Sequence, residues 1–453
     1  LPSEIQNAYG PHISDPRTGE ILDSDIGFFH NVMNLARNWF FVQTAAANPQ
    51  AQKLPLSDEV MGEMLRYICA HEIGHTLGFP HNMKATSQYP VDSLRSKTFT
   101  EQFGTESSIM DYGRFNYVAQ PGDNVRFIPL IGPYDTFATE WGYRPIIGAK
   151  NSDEEKTELA KIVARQEKEP YLRFGNADGI DPSAQTEDLG SDAVASTSYG
   201  LKNIARIADM LLNATTQSGE DYSTLKEVYG ELIGQRNREL GHVANVVGGI
   251  SRTERYAGTD GVVFTPFAKE KQKEAMELLT KEAFKTPTEL LKPDILSRIE
   301  PSGANDRVVA GQKNILNILL NNDRLTRMVN TTALNSNPYS IAEMFADLRA
   351  GVWSELQSGK SPDVYRRNLQ RAYIEVVNLK FNPLPFTPPA GLPPGIIIPP
   401  PSLLPGEARA LLRNELIELD KQLASAHASD KETKAHYEDS RYQISKILNP
   451  DKK

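Results

Sequence analysis

Cysteine is almost missing from these 453 residues: the only one is Cys69, which excludes an internal disulfide framework. One thiol leaves the redox compartment open, because export does not require disulfides. No run of about 18 apolar residues occurs, so no segment reads as a membrane-spanning helix. Basic charge is in deficit, with 49 Lys and Arg against 58 Asp and Glu and a formal charge of −9. That balance argues against a broadly basic nucleic-acid surface. No fixed repeat of roughly 30 to 50 residues stands out, so a solenoid is unsupported, while stacked helical hairpins stay open. The chain also lacks an initiator Met. It opens Leu1-Pro2-Ser3 without a basic or apolar leader and reads as a fragment whose targeting segment lies upstream or has been removed.

What is present is enough chain for about two or three domains. Residues 1–145 mix short strand signals, turns and two helical stretches, which predicts a compact α+β unit. Within it, Asp15-Pro16 and Gly19 separate two extended pieces as a hairpin does, with Ile13, Ile21 and Ile26 expected to face inward. Residues 28–47 are apolar around much of a helix, with Phe29, Val32, Leu35 and Phe40. Ser57 then offers an N-cap, Asp58 and Glu59 suit the first turn, and Met61, Met64, Leu65 and Ile68 recur at helical spacing. Residues 146–380 have a helical period throughout and predict an all-α region. Residues 381–405 hold ten of the thirty prolines, counted from Pro383 to Pro405, and predict a polyproline-type strap or linker. Residues 406–453 read as a charged amphipathic tail of one or two helices joined near Ser429-Asp430.

The chemistry concentrates in His71-Glu72-Ile73-Gly74-His75-Thr76-Leu77-Gly78-Phe79-Pro80-His81. On a helix His71 and His75 project from one face, a turn apart, so both can reach one Zn²⁺ at roughly 2.0 to 2.1 Å. Gly78 permits a positive-φ turn and Pro80 prevents further helix, which brings His81 round as a third imidazole. Glu72 faces the open coordination position as a general base for metal-assisted amide hydrolysis. A purely structural zinc would ordinarily be closed by four protein ligands. Three His beside a carboxylate do not make such a set.

This pattern resembles the metzincin clan of zinc peptidases. Ser107-Ser108-Ile109-Met110-Asp111-Tyr112 follows, with Met110 placed 29 residues beyond His81. It is similar to the clan's Met-turn, and the resemblance implies that Met110 floors the three imidazoles. Ser-x-Met-x-Tyr also resembles the astacin and serralysin turns, which implies that Tyr112 assists the oxyanion. Gly10-Pro11, Asp15 to Ile21, His81-Asn82, Pro90 to Arg95 and Met110 to Asp123 are more narrowly similar to the large bacterial Met-zincins, over about residues 10–145. That resemblance implies a metzincin-like domain lacking upstream strands, followed by a mostly α-helical region that walls the cleft. It also implies export to the periplasm or cell surface, a peptide or protein substrate, and Gly10 to Ile21 as the edge that pairs with substrate. Asn82 departs from astacins, which carry Glu after the third His.

Elsewhere, Asp178, Asp181, Glu187, Asp188 and Asp192 could gather around Ca²⁺, although a solvated acidic loop is the plainer expectation. Cys69 is expected to be a small buried hydrophobe. His12, His30, His242, His427 and His436 lack ligand spacing and suit surface or satisfied core positions. The sequence reading is a zinc endopeptidase, the alternatives being a catalytically silent zinc-containing adhesion or assembly protein and a zinc amidase acting on a peptide-containing glycan. Oligomeric state is left open.

Overall fold

The computed structural model describes residues 3–386, 398 and 400–450. Residues 387–397 and 399 of the expected proline-rich strap lie outside the described residues. Two compact units divide the chain: residues 1–242, 251–264 and 289–299 form the first, and 243–250, 265–288 and 300–453 the second.

The first unit begins with four short strands, β1 (Ala8–Tyr9), β2 (His12–Ser14), β3 (Ile21–Ser24) and β4 (Gly27–Phe28). β1 pairs antiparallel with β4, and β2 with β3. The β2–β3 hairpin forms where the Asp-Pro…Gly signal predicted, and Gly19 takes φ 76° at its turn. Of the three isoleucines expected to face inward, Ile21 is half-buried, whereas Ile13 and Ile26 are not. Ile13 is 64% exposed and Ile26 39%, because a two-stranded ribbon has no second layer to bury them.

Helices follow. α1 (Val32–Thr44) and α2 (Asp58–Thr76) pack in one core with α6 (Ala193–Thr215) and α7 (Ser223–Val246). Between α2 and α6 lie α3 (Lys97–Phe103), α4 (Pro133–Tyr143) and α5 (Ser152–Val163). Phe40, Phe41, Met64, Met110, Phe115, Ile207, Leu211 and Leu232 are buried in that core. Each such side chain contributes about 1.5 to 3 kcal/mol on leaving water. Polar contacts fix the register of α1 against α7. Asn38 Nδ2 donates to Glu227, Trp39 Nε1 to Glu231 and Gln43 Nε2 to Gln235, at 2.8, 3.1 and 3.0 Å, and the three acceptors recur every four residues along one helix face.

The second unit is mainly helical, with helices at Ala304–Leu319, Ile341–Val352, Val364–Phe381, Gly406–Ser425 and Lys431–Leu448. Asp430 caps the last of these by accepting from Thr433 N–H at 2.7 Å. Arg366 is buried there. It pairs with Glu355 at 2.6 Å and donates to the backbone carbonyl of Val352 at 2.7 Å, so its charge is fully partnered. The region expected to be all-α also contains two short strands, Ile250–Arg252 and Phe264–Pro266, which correct that expectation. They lie in a stretch rich in Thr, Val and Gly, where helical periodicity lapses.

Candidate metal centre

α2 carries the centre. Ser57 Oγ accepts from Val60 N–H at 3.4 Å, and Asp58 and Glu59 occupy the positive end of the helix. Val60, Met64, Tyr67, His71 and Gly74 alternate by four and three residues and form the buried stripe. This stripe places Cys69 on the opposite face, where it is exposed rather than buried.

The helix stops after Thr76. Gly78 adopts φ 86°, and Phe79 N–H turns back to donate to the Gly74 carbonyl at 3.1 Å. His81 thereby returns to the helix end. His71, His75 and His81 each place one ring nitrogen within 4.8 Å of the others. It is the one such group of three or more potential ligands among the described residues.

The outward ring nitrogens of His71 and His75 are already used. His71 Nδ1–H donates to the Ile109 carbonyl at 2.6 Å, and His75 Nδ1–H to that of Phe79 at 2.8 Å. Each bond fixes the tautomer that leaves Nε2 as a lone-pair donor. Nε2 of His75 and of His81 lie 3.0 Å apart, an approach of two basic nitrogens that suits shared coordination of a cation. Burial pulls His71 down to about 3 and His81 to about 4, so both are neutral at physiological pH, as ligation requires. Three imidazoles with an adjacent carboxylate are the donor set of a zinc site with an open position.

Glu72 is buried, and its Oε2 finds no hydrogen-bond partner. Burial raises its pKa, which primes it to hold a proton. The Tyr112 ring stacks on His71 at 5.5 Å and lies 4.3 Å from His81, centroid to centroid. Burial also raises its phenol.

Met110 is buried directly beneath α2, so close that a β-carbon on Gly74 would fall 2.2 Å from its sulfur. The turn bearing Met110 is held by two carboxylates that sequence reasoning did not single out for this purpose. Asp135, in the first turn of α4, accepts from Ser108 Oγ, Ile109 N–H and Gly132 N–H at 2.6, 2.8 and 2.7 Å. Asp111 accepts from Thr86 N–H at 2.9 Å and Tyr112 N–H at 2.7 Å, and burial pushes it up to about 7. Asn82, the residue that departs from astacins, joins His81 to this turn. Its N–H donates to the Met110 carbonyl at 2.9 Å and its side chain to the Arg173 carbonyl at 3.0 Å.

The N-terminal strands rest on the same helix. A β-carbon on Gly10 would meet the Glu72 carbonyl at 2.4 Å, so only glycine permits the approach. His12 Nδ1–H donates to the His75 carbonyl at 3.1 Å, a contact not foreseen from its spacing.

The expected calcium cluster gains no support. Asp181 pairs with buried Lys84 at 2.6 Å, Glu187 with Arg114 at 2.9 Å, and Asp188 accepts from Thr86 Oγ1 at 2.9 Å. Asp192 caps α6. Asp178 accepts from Ile180 N–H at 2.8 Å, so each of the five is committed to a protein donor, and they form no ligand group among the described residues.

A family model described as Met-zincin matches residues 53–360, more than half of the chain. No curated protein and no solved structure matches the chain. Among the described residues, no helix is long and apolar enough to cross a membrane.

Proposed function

The chain belongs to the Met-zincin family, and from that premise we propose that it is a zinc endopeptidase with His71, His75 and His81 as metal ligands and Glu72 as general base. One observation carries this reading. A buried carboxylate with an unpartnered oxygen adjoins three converging imidazoles, and the fold holds the outward nitrogens of two of them, His71 and His75. A structural site would have no use for that oxygen, whose desolvation costs about 1 to 3 kcal/mol when unpaired.

Zinc bound there supplies Lewis acidity toward a carbonyl oxygen and toward water. Glu72 accepts the proton of the attacking water, whose oxygen bonds to the carbonyl carbon. It then delivers that proton to the leaving nitrogen as the C–N bond breaks. Tyr112 stands over two of the imidazoles and is assigned to stabilise the oxyanion. Met110 packs under Gly74 and holds the floor. Residues 10–21 are assigned as the edge that pairs with an extended peptide, and export to the periplasm or cell surface is proposed from the family resemblance. Mapping cuts made in an unfolded protein by the zinc-loaded chain tests the reading.

A further inference from the structure

No hydrogen bond to another described residue holds the Tyr112 hydroxyl; the bond Tyr112 does make runs from its backbone N–H to Asp111. The aim of the phenol therefore rests on what touches its ring. His71 meets that ring with 21° between the planes and His81 with 52°, and the guanidinium carbon of Arg114 lies 4.9 Å from its centroid. Two of these neighbours are the assigned metal ligands. Arg114 is the third, and the assigned chemistry gives it no task.

Arg114 is clamped. Its Nε and Nη2 both donate to Glu187 Oε1, at 3.2 and 2.9 Å, and Arg238 of α7 pairs with the other oxygen. The Trp39 ring centroid on α1 lies 3.9 Å from the guanidinium carbon, and Trp39 is itself tied to Glu231 through Nε1 at 3.1 Å. Arg114 and Glu187 are also two of the three non-glycine residues with positive φ among the described residues, at 60° and 66°. That conformation is costly for a residue with a β-carbon, and it persists where the surroundings over-determine it. The link between phenol and guanidinium is packed as closely as its ends. A β-carbon on Gly113 would fall 1.8 Å from Glu106 Oε2. Glu187 has Arg238 as a partner already, so its charge does not need Arg114. What explains two strained residues joined beside Tyr112 is the ring that Arg114 touches.

We propose that Arg114 is a positioning residue: clamped by Glu187 and Trp39, it holds the Tyr112 ring so that the hydroxyl meets the oxyanion. The inference rests on the peptidase reading and on the role given there to Tyr112. Its test is calorimetric titration of the zinc-loaded chain with two peptide analogues of one sequence. One carries a phosphinate, whose tetrahedral anionic oxygen mimics the oxyanion, and the other a reduced amide, which has the same side chains and no oxyanion. Tyr112→Phe should weaken phosphinate binding by about 100-fold, the scale of one lost oxyanion donor. Arg114→Met should weaken it by about 10- to 100-fold, as the loss of an orienting group does, with zinc content and reduced-amide binding unchanged. Glu187 keeps Arg238 in that variant, and Glu187→Gln loosens the clamp from the other side if Arg114→Met does not fold. In a Tyr112→Phe background neither change should cost anything more, because both act through the phenol. Parental phosphinate affinity in the folded variant, a loss that adds to that of Tyr112→Phe, equal losses for the two analogues, or no phosphinate binding by the parent would overturn the proposal. Peptide cuts by the parent alongside any of those results would leave the endopeptidase reading standing. Selective, non-additive losses in a chain that cuts no peptide would uphold the positioning role and count against the endopeptidase reading alone.

Discussion

The Nδ1–H of His71 donates to the carbonyl oxygen of Ile109 at 2.6 Å, so the residue just before Met110 aims the first imidazole of the centre. Ile109 is in turn held by Asp135, which accepts its N–H at 2.8 Å. The orientation of a residue on α2 thus depends on a carboxylate in the first turn of α4, 64 positions later in the chain (135 − 71).

That relationship makes Asp135 a positioning residue. Asp135→Ala leaves Ser108 Oγ and two buried N–H groups without their acceptor, which costs roughly 2 to 5 kcal/mol of stability. Zinc affinity should fall about 10- to 100-fold, the usual consequence of losing a group that orients a ligand. Competition against a chromophoric chelator measures it. Unchanged affinity in a folded variant would show that the turn aims His71 without Asp135.

Gly74 tests the floor. A methyl group there would meet the Met110 sulfur at 2.2 Å, so Gly74→Ala must push the turn away from α2. Overpacking of this kind costs about 1 to 3 kcal/mol, and the variant should melt lower than the parent. Gly74→Ala combined with Met110→Ala should recover part of the loss, because the clash is gone. An additive double variant would mean that the two residues do not press on each other.

Stability should also depend on pH through Glu239 on α7. Its carboxyl is fully buried, and burial raises it from 4.5 to about 8. The folded state therefore keeps a proton that the unfolded chain gives up. The resulting stabilisation is complete below pH 4.5 and is lost as the pH rises toward and through 8. Glu239→Gln mimics the protonated form and should flatten this part of the profile, raising Tm near pH 8 by about 2 to 4 °C. Thermal melts of both chains from pH 5 to about 9 check the sign. A lower Tm for the variant at pH 8 would contradict it.

The parts of the molecule legible in the sequence are those encoded by neighbours. Ser57, the acidic first turn, the apolar spacing of α2, Gly78 and Pro80 lie in one short stretch, and each acts on the backbone beside it. Convergence of three imidazoles follows from that stretch alone. The outward face of Cys69 was not legible, because the apolar spacing marked Met61, Met64, Leu65 and Ile68, whereas packing buries the stripe of residues 60, 64, 67, 71 and 74, and 69 falls opposite it. Asp135 and the Arg114–Glu187 pair were not legible, because their partners lie 26 and 73 positions away and nothing local marks the contact. The exposure of Ile13 was hidden for another reason. Alternation predicts which strand residues share a face, but not whether any layer covers that face.

The central claim is that Glu72 moves the proton in peptide hydrolysis while the three imidazoles hold zinc without it. Its most direct test is mass-spectrometric mapping of cuts in an unfolded protein, made by the parent and by Glu72→Ala at matched zinc content. The account predicts internal cuts by the parent and at least about a hundredfold fewer by the variant, the scale of a lost general base. Equal cutting by the two, or none by a folded and zinc-loaded parent, would contradict it.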